Sequence, residues 1–149
     1  MAANPIPQGH HSVTPYLIVS GAAGLVDFLK QAFGAEETER LAAPDGTVMH
    51  AEVRIGDSII MIGEAHGDFG AMPSAVHLYV EDSDAMYQRA LQAGATSVEE
   101  PRDQFWGDRL GGVRDAFGNL WWVSTHVEDL SPEELQRRTQ EVMNQMSGG

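Results

Sequence analysis

The sequence predicts an α+β fold in which one strand–helix–strand–strand–strand unit occurs twice and is followed by a C-terminal helix. Three observations carry this expectation: an internal repeat, hydrophobic periods that switch between two and about 3.6 residues, and glycine or proline at the joints. The repeat shows in four matches that keep their order. Pro15-Tyr16-Leu17-Ile18-Val19 has a counterpart in Val76-His77-Leu78-Tyr79-Val80, and Phe33-Gly34-Ala35 in Ala93-Gly94-Ala95. Val53-Arg54 recurs as Val113-Arg114, and Gly56 with Ile59-Ile60-Met61-Ile62 as Gly118 with Trp121-Trp122-Val123-Ser124.

Each element has a local reason. Val13 to Val19 is rich in β-branched residues and reads as a strand. Ala22 to Phe33 carries Leu25, Phe28, Leu29 and Ala32 at helical spacing, and Gly34 is a natural C-terminal cap. A strand is expected from about Glu36 to Leu41. Pro44-Asp45-Gly46 then turns the chain, since proline presets φ and glycine accepts φ > 0. Val48 to Ile55 alternates apolar and polar, Gly56-Asp57 turns, and Ser58 to Gly63 returns as a buried strand.

The second unit repeats the order. Ala75 to Val80 is a strand, Asp82 or Ser83 caps a helix through Leu91, and Gly94 ends it. Strands follow near Ser97–Glu99, Gly107–Arg114 and Leu120–Val127. Residues 12–130 are thus expected to form one domain, with module one at about 12–64, module two at about 75–130, and 1–11 as a flexible leader. In the tail, 131–149, Ser131-Pro132-Glu133-Glu134 joins an N-cap, proline at the first helical position and a capping box. Leu135, Thr139, Val142, Met143 and Met146 then form an apolar stripe. That pattern fits packing on the chain's own domain or on a second subunit equally well.

Composition narrows the function. The 149 residues suffice for one buried core. The absence of cysteine excludes disulfides, thiolate metal sites and a cysteine nucleophile. The 22 acidic and 9 basic residues give a net charge of −13, a field that repels nucleic acid and anionic membranes. No apolar run approaches the roughly 20 residues of a membrane span, and the first residues do not read as a signal peptide, so a cytoplasmic protein is expected.

Strand alternation then sorts side chains by face. His50, Glu52 and Arg54 are expected opposite the helix-packed Met49, Ala51, Val53 and Ile55. His77 and Tyr79 are expected opposite Val76, Leu78 and Val80. Ile60, Ile62 and Glu64 should turn away from the first helix, and Trp122, Ser124 and His126 from the second, if Gly118 is equivalent to Gly56. Three of the six histidines then share the face without helices. Such a face reads either as the lining of a ligand cavity or as a partly exposed sheet surface with satisfied polar groups.

These residues resemble the vicinal oxygen chelate superfamily, which includes glyoxalase I, the bleomycin-resistance proteins and the extradiol dioxygenases, and within it the PhnB-like, glyoxalase-related group. The likeness is carried by Val13-Thr14-Pro15-Tyr16-Leu17, Met49-His50-Ala51-Glu52 with Arg54-Ile55-Gly56-Asp57, Leu78-Tyr79-Val80-Glu81-Asp82, Gln104 to Arg109, Arg114-Asp115 with Phe117-Gly118, and Thr125 to Asp129. It implies two tandem βαβββ modules forming a cupped, barrel-like mixed sheet around a cavity. It also implies four metal-ligand places at or near Thr14, Ile60, Ala75 and Trp122, none of which is a normal ligand here.

The neighbouring His77, His126 and Glu64, with His50 beside them, offer ligand types suited to one divalent metal such as Zn, Ni or Fe(II). Without a metal, the same groups suit general acid–base chemistry, and Glu64 and His50 are the candidates to move a proton. Tyr16, His77, Tyr79, Trp106, Arg109 and Trp122 are the candidate ligand contacts. For Trp106-Gly107-Asp108-Arg109 two readings stand: a rim over the cavity, or an Asp–Arg pair that fixes a hairpin. Two functions follow. One is a glyoxalase-like lyase, isomerase or dioxygenase, and the other a metal-free protein that binds a small molecule without turnover. In both, the ligand is a small molecule and a homodimer is expected, since edge strands need cover and proteins of this fold commonly pair modules across chains.

Overall fold

Gly34 takes up a left-handed conformation (φ 67°) and its N–H bonds back to the carbonyl of Lys30, ending helix α1, Ala22–Phe33, where the sequence expects it. The computed structural model describes residues 2–148. Module one comprises β1 (Tyr16–Val19), α1, β2 (Glu36–Ala42), β3 (Val48–Ile55) and β4 (Ser58–Glu64). Module two comprises β5 (Ala75–Tyr79), α2 (Ser83–Gln92), β6 (Thr96–Asp103), β7 (Asp108–Arg114) and β8 (Leu120–His126), with α3 (Pro132–Ser147) after it. The repeat is complete: strand orders are β1-β4-β3-β2 and β5-β8-β7-β6, the first pair in each sheet parallel and the others antiparallel.

Both helices lie between the two sheets and against each other. Leu17, Val19, Ala51, Val53, Ile60 and Ile62 of one sheet share a single core with Val113, Trp121 and Val123 of the other. Phe33 at the end of α1 meets Trp121 of β8 at 5.3 Å between ring centroids, so the modules are joined through apolar packing. The faces turned away from the helices stay open in the single chain.

One face assignment differs from the sequence expectation. Ile60 and Ile62 point at the helices, buried at 2% and 0% exposure. Met61 and Gly63 take the open face, because β4 pairs Ile62 with Ala51 and Ile60 with Val53. The cause lies in the turns. Arg54 pairs with Ile59 across residues 55–58, whereas Arg114 pairs with Leu120 across residues 115–119, one residue more. Gly56 and Gly118 are therefore not equivalent, and a one-residue slip moves every side chain of a strand to the other face. Met49 also differs, standing 37% exposed beyond the helix.

The longer turn is built around Asp115, which is 5% exposed. Its carboxylate accepts hydrogen bonds from Phe117 N (2.8 Å), Asn119 N (3.0 Å), Asn119 Nδ2 (2.9 Å) and Trp121 Nε1 (2.8 Å). The turn thereby presents Phe117 to α1, so closely that a Cβ on Gly24 would lie 2.9 Å from its ring.

Helix α3 is capped as its sequence predicts, with Ser131 Oγ accepting from Glu134 N at 3.1 Å. Hydrogen bonds from Arg137 and Arg138 hold the Glu134 carboxyl down at about 2. None of the α3 residues is buried, and Leu135, Met143 and Met146 are exposed at 38%, 57% and 77%. The chain's own domain thus leaves these three residues of the stripe exposed, while Thr139 and Val142 are part-buried. Arg138 ties the helix to the rest, donating to Phe105 O (3.2 Å) and Glu128 Oε1 (2.6 Å). No helix among the described residues is long and apolar enough to cross a membrane.

Candidate functional site

The open face of module two gathers five of the sequence-selected residues. His77 and Tyr79 stand on β5, their rings 4.9 Å apart. Trp122 and His126 stand on β8, with Trp122 paired to His77 and to Gly112. Gly112 is what lets the indole lie flat, since a Cβ there would come within 2.6 Å of it. Trp106, on the hairpin before β7, leans onto the same face and is 37% exposed.

The hub of this face is Asp108, 2% exposed and opposite His126 in the β7–β8 ladder. It accepts hydrogen bonds from Tyr79 Oη (2.9 Å), Trp106 Nε1 (3.1 Å) and His126 Nδ1 (2.8 Å). Burial disfavours its charge, but the bonds from His126, Tyr79 and Trp106 outweigh that and hold the carboxyl below its usual range. The same bond pushes the Tyr79 phenol up. His126 is bonded on both sides, Nε2 lying 2.8 Å from Asp129 Oδ1, and the carboxylates of Asp108 and Asp129 push its pKa up. With Nδ1 and Nε2 each engaged by a carboxylate, neither ring nitrogen is free to ligate a metal in this arrangement.

The sign of the pH dependence follows. The stabilisation from the Asp108–His126 contact is fully present below the unfolded histidine value of about 6.5 and is lost as pH rises through the higher folded value. At the acid end it is lost as pH falls through the depressed pKa of Asp108. A proton NMR titration of His126 is expected to give a midpoint above 6.5 that drops in Asp108→Asn. An unshifted midpoint would contradict the contact.

Module one's open face carries Tyr16 and His50, 5.7 Å apart by ring centroids, with Tyr16 folded over Gly63. Beside His50 lies Glu52, 7% exposed, whose Oε1 meets His10 Nε2 at 2.7 Å and whose Oε2 is 3.6 Å from His50 Nε2. Burial opposes the charge of Glu52, and the His10 bond is the largest of the contacts that nevertheless lower its pKa.

Two selected residues lie elsewhere, and their expected positions are corrected. Glu64 faces the helix side, where its carboxylate accepts from Gly21 N (2.9 Å) and Ala22 N (2.9 Å) at the start of α1. Gly21 has no side chain with which to cap the helix, so β4 supplies one. In module two the corresponding strand end is Thr125 rather than His126, and Thr125 Oγ1 accepts from Ser83 N at 2.9 Å at the start of α2. Arg109 also points to the helix side, donating to Asp84 (3.1 Å) and Asp103 (3.2 Å) and clamping α2 to the β6–β7 hairpin. Glu64→Ala is expected to lower stability by about 1–2 kcal/mol in urea unfolding, with Glu64→Gln losing less. An unchanged midpoint in Glu64→Ala would contradict the capping role.

Among the described residues, no three His, Asp or Glu side chains come together as a metal-holding group. The donors considered from sequence are dispersed: Glu64 caps a helix, His126 is held by two carboxylates, and His77 stands exposed beside Tyr79. The residues of this chain therefore do not fit the expected divalent site. Sequence reasoning missed Asp108 as the hub and Asp129, Glu52 and His10 as partners. The signal for Asp108 was alternation along β7, which sets it on the face of Leu110 and Gly112 and sets Arg109 on the other.

Fold and sequence agree on the class. The chain belongs to the family described as the Glyoxalase/Bleomycin resistance protein/Dioxygenase superfamily, which it matches over residues 9–123. Among its relatives is the uncharacterized protein Mb0911c of Mycobacterium bovis, 38% identical over 147 residues, covering 91% of this chain and 94% of that protein. The crystal structure of TioX from Micromonospora sp. ML1 is similar with a TM-score of 0.65 and 28% identity, over 78% of this chain and 100% of the other. The fosfomycin resistance protein FosX from Mesorhizobium loti shares the fold at a TM-score of 0.58 and 17% identity, over 84% and 97% of the two chains.

Proposed function

We propose that this chain is a small-molecule binding protein that seats a flat ligand on the open face of module two without metal-assisted turnover. The observation that carries this is a buried carboxylate, Asp108, that fixes a ring of aromatic side chains at a solvent-facing sheet surface. Tyr79 is 66% exposed and Trp106 37%, an outlay of apolar area that a purely structural face does not need. The rings supply stacking surface, and the net charge of −13 favours a neutral or cationic ligand over an anionic one. The enzyme alternative, a lyase or dioxygenase, asks for converging metal donors, and these residues are dispersed.

The open face of one chain is a half-site. Both helices occupy the space between the sheets, so closing a cavity over Tyr79 and Trp122 requires a second surface, and a second copy of this chain supplies it by symmetry. The mass in solution tests that part, a monomer contradicting it. The binding reading is tested by titrating intrinsic tryptophan fluorescence with a panel of flat neutral, cationic and anionic aromatics, the cationic 9-aminoacridine among them. Saturable quenching by neutral or cationic members, weakened in Trp122→Ala and Tyr79→Ala, supports it. Absence of saturable binding across the panel sinks it.

A further inference from the structure

We propose that the N-terminal segment is a strap that occupies the open face of module one and withholds it from ligand, with His10 as its latch on Glu52. The inference rests on the reading above, that open sheet faces are where ligand binds, and it makes the two faces of one chain unequal. Among residues 2–13, His10 is the one residue that is part-buried rather than exposed, and its contact with Glu52 bridges 42 positions in sequence. A tight turn aims it, since His10 N donates to Pro7 O at 3.0 Å.

Glu52 belongs to the open face, because its strand neighbours Ala51 and Val53 fill the core and it pairs with Met61. The latch therefore sits beside His50, whose ring lies 5.7 Å from that of Tyr16, the residues that would otherwise contact a ligand there. A carboxylate taken from water is held by partners of opposite charge or by donors, and His10 is its closest partner at 2.7 Å. Among the described residues, module two has no such strap. The chain running into β5 is drawn to module one, Met72 N bonding to Ile18 O at 3.0 Å, and His77 and Tyr79 stay exposed. A strap fastened at one residue is released by losing one contact, which suits a reversible cover rather than a structural element.

The test uses the full chain, its His10→Ala variant, and a deletion of residues 2–11 as a second route to the same state. 9-Aminoacridine is titrated calorimetrically into each, and 15N relaxation reports the order of residues 8–12. The expected result is binding about tenfold or more tighter in both variants than in the wild type, since a covered face lowers the apparent affinity by the fraction of chains left open. Residues 8–12 should be ordered in the wild type and gain nanosecond motion in His10→Ala. Unchanged affinity in both variants, or equal mobility of residues 8–12 in wild type and variant, overturns the strap. If no protein binds the dye at all, the ligand reading falls and the proposed withholding falls with it, while the relaxation data still report whether His10 fastens the segment.

Discussion

Replacing Asp115 by alanine is expected to lower the unfolding free energy by about 3–5 kcal/mol, a large share of the roughly 5–15 kcal/mol that holds a domain of this size. The change strips the acceptor from the Trp121 indole and the Asn119 amide, both at 0% exposure, and from two backbone N–H groups of the turn. It also frees the turn that presses Phe117 on Gly21 and Gly24, so the loss spreads to the contact between modules. Urea unfolding should show a much lower midpoint for Asp115→Ala, with Asp115→Asn between it and the wild type. An alanine midpoint within experimental error of the wild type would mean that the turn is held by other contacts.

Asp108→Ala is expected to weaken binding of 9-aminoacridine by about tenfold or more, along with a loss of about 1–3 kcal/mol in stability. Asp108 touches no ligand in this account. It fixes Tyr79, Trp106 and His126, and without it three donors lose one buried acceptor and the aromatic rim loosens. The loss in affinity should exceed that from Arg109→Ala, because Arg109 serves the helix side. Equal losses, or none, would separate the hub from the binding face.

Both effects come from carboxylates whose importance is set by context, and this explains what could be read in the sequence. The two modules, most element boundaries and the faces of β5 were legible, because His77 and Tyr79 alternate with Val76 and Leu78, although β1 begins at Tyr16 rather than Val13 and β6 runs on to Asp103. The open face of β8 was expected correctly, but on the equivalence of Gly118 with Gly56, which does not hold. β4 was not legible. Ile59-Ile60-Met61-Ile62 has no alternation, so its faces had to be taken from the repeat, and the extra residue in the Asp115–Asn119 turn shifted that comparison by one. The shift put Glu64 beside the candidate metal ligands when its carboxylate closes the start of α1.

Within the site, the aromatic members were legible as residue types with no helix to pack on. Their organiser was hidden in the run Trp106-Gly107-Asp108-Arg109, where Asp108 and Arg109 look like a pair but occupy opposite faces of β7. His10 was hidden for a different reason. A contact 42 residues away leaves no periodic trace, so the segment read as a leader.

The three tryptophans provide the most direct check on the account as a whole. Trp106 and Trp122 belong to the open face of module two, whereas Trp121, at 0% exposure, donates to Asp115 inside the core. Their indole N–H signals in a 1H–15N spectrum, followed as 9-aminoacridine is added, report where the ligand sits. The Trp106 and Trp122 signals are expected to shift saturably and together, while that of Trp121 holds its position. Saturable binding that leaves Trp106 and Trp122 unmoved would contradict the assignment of the binding face.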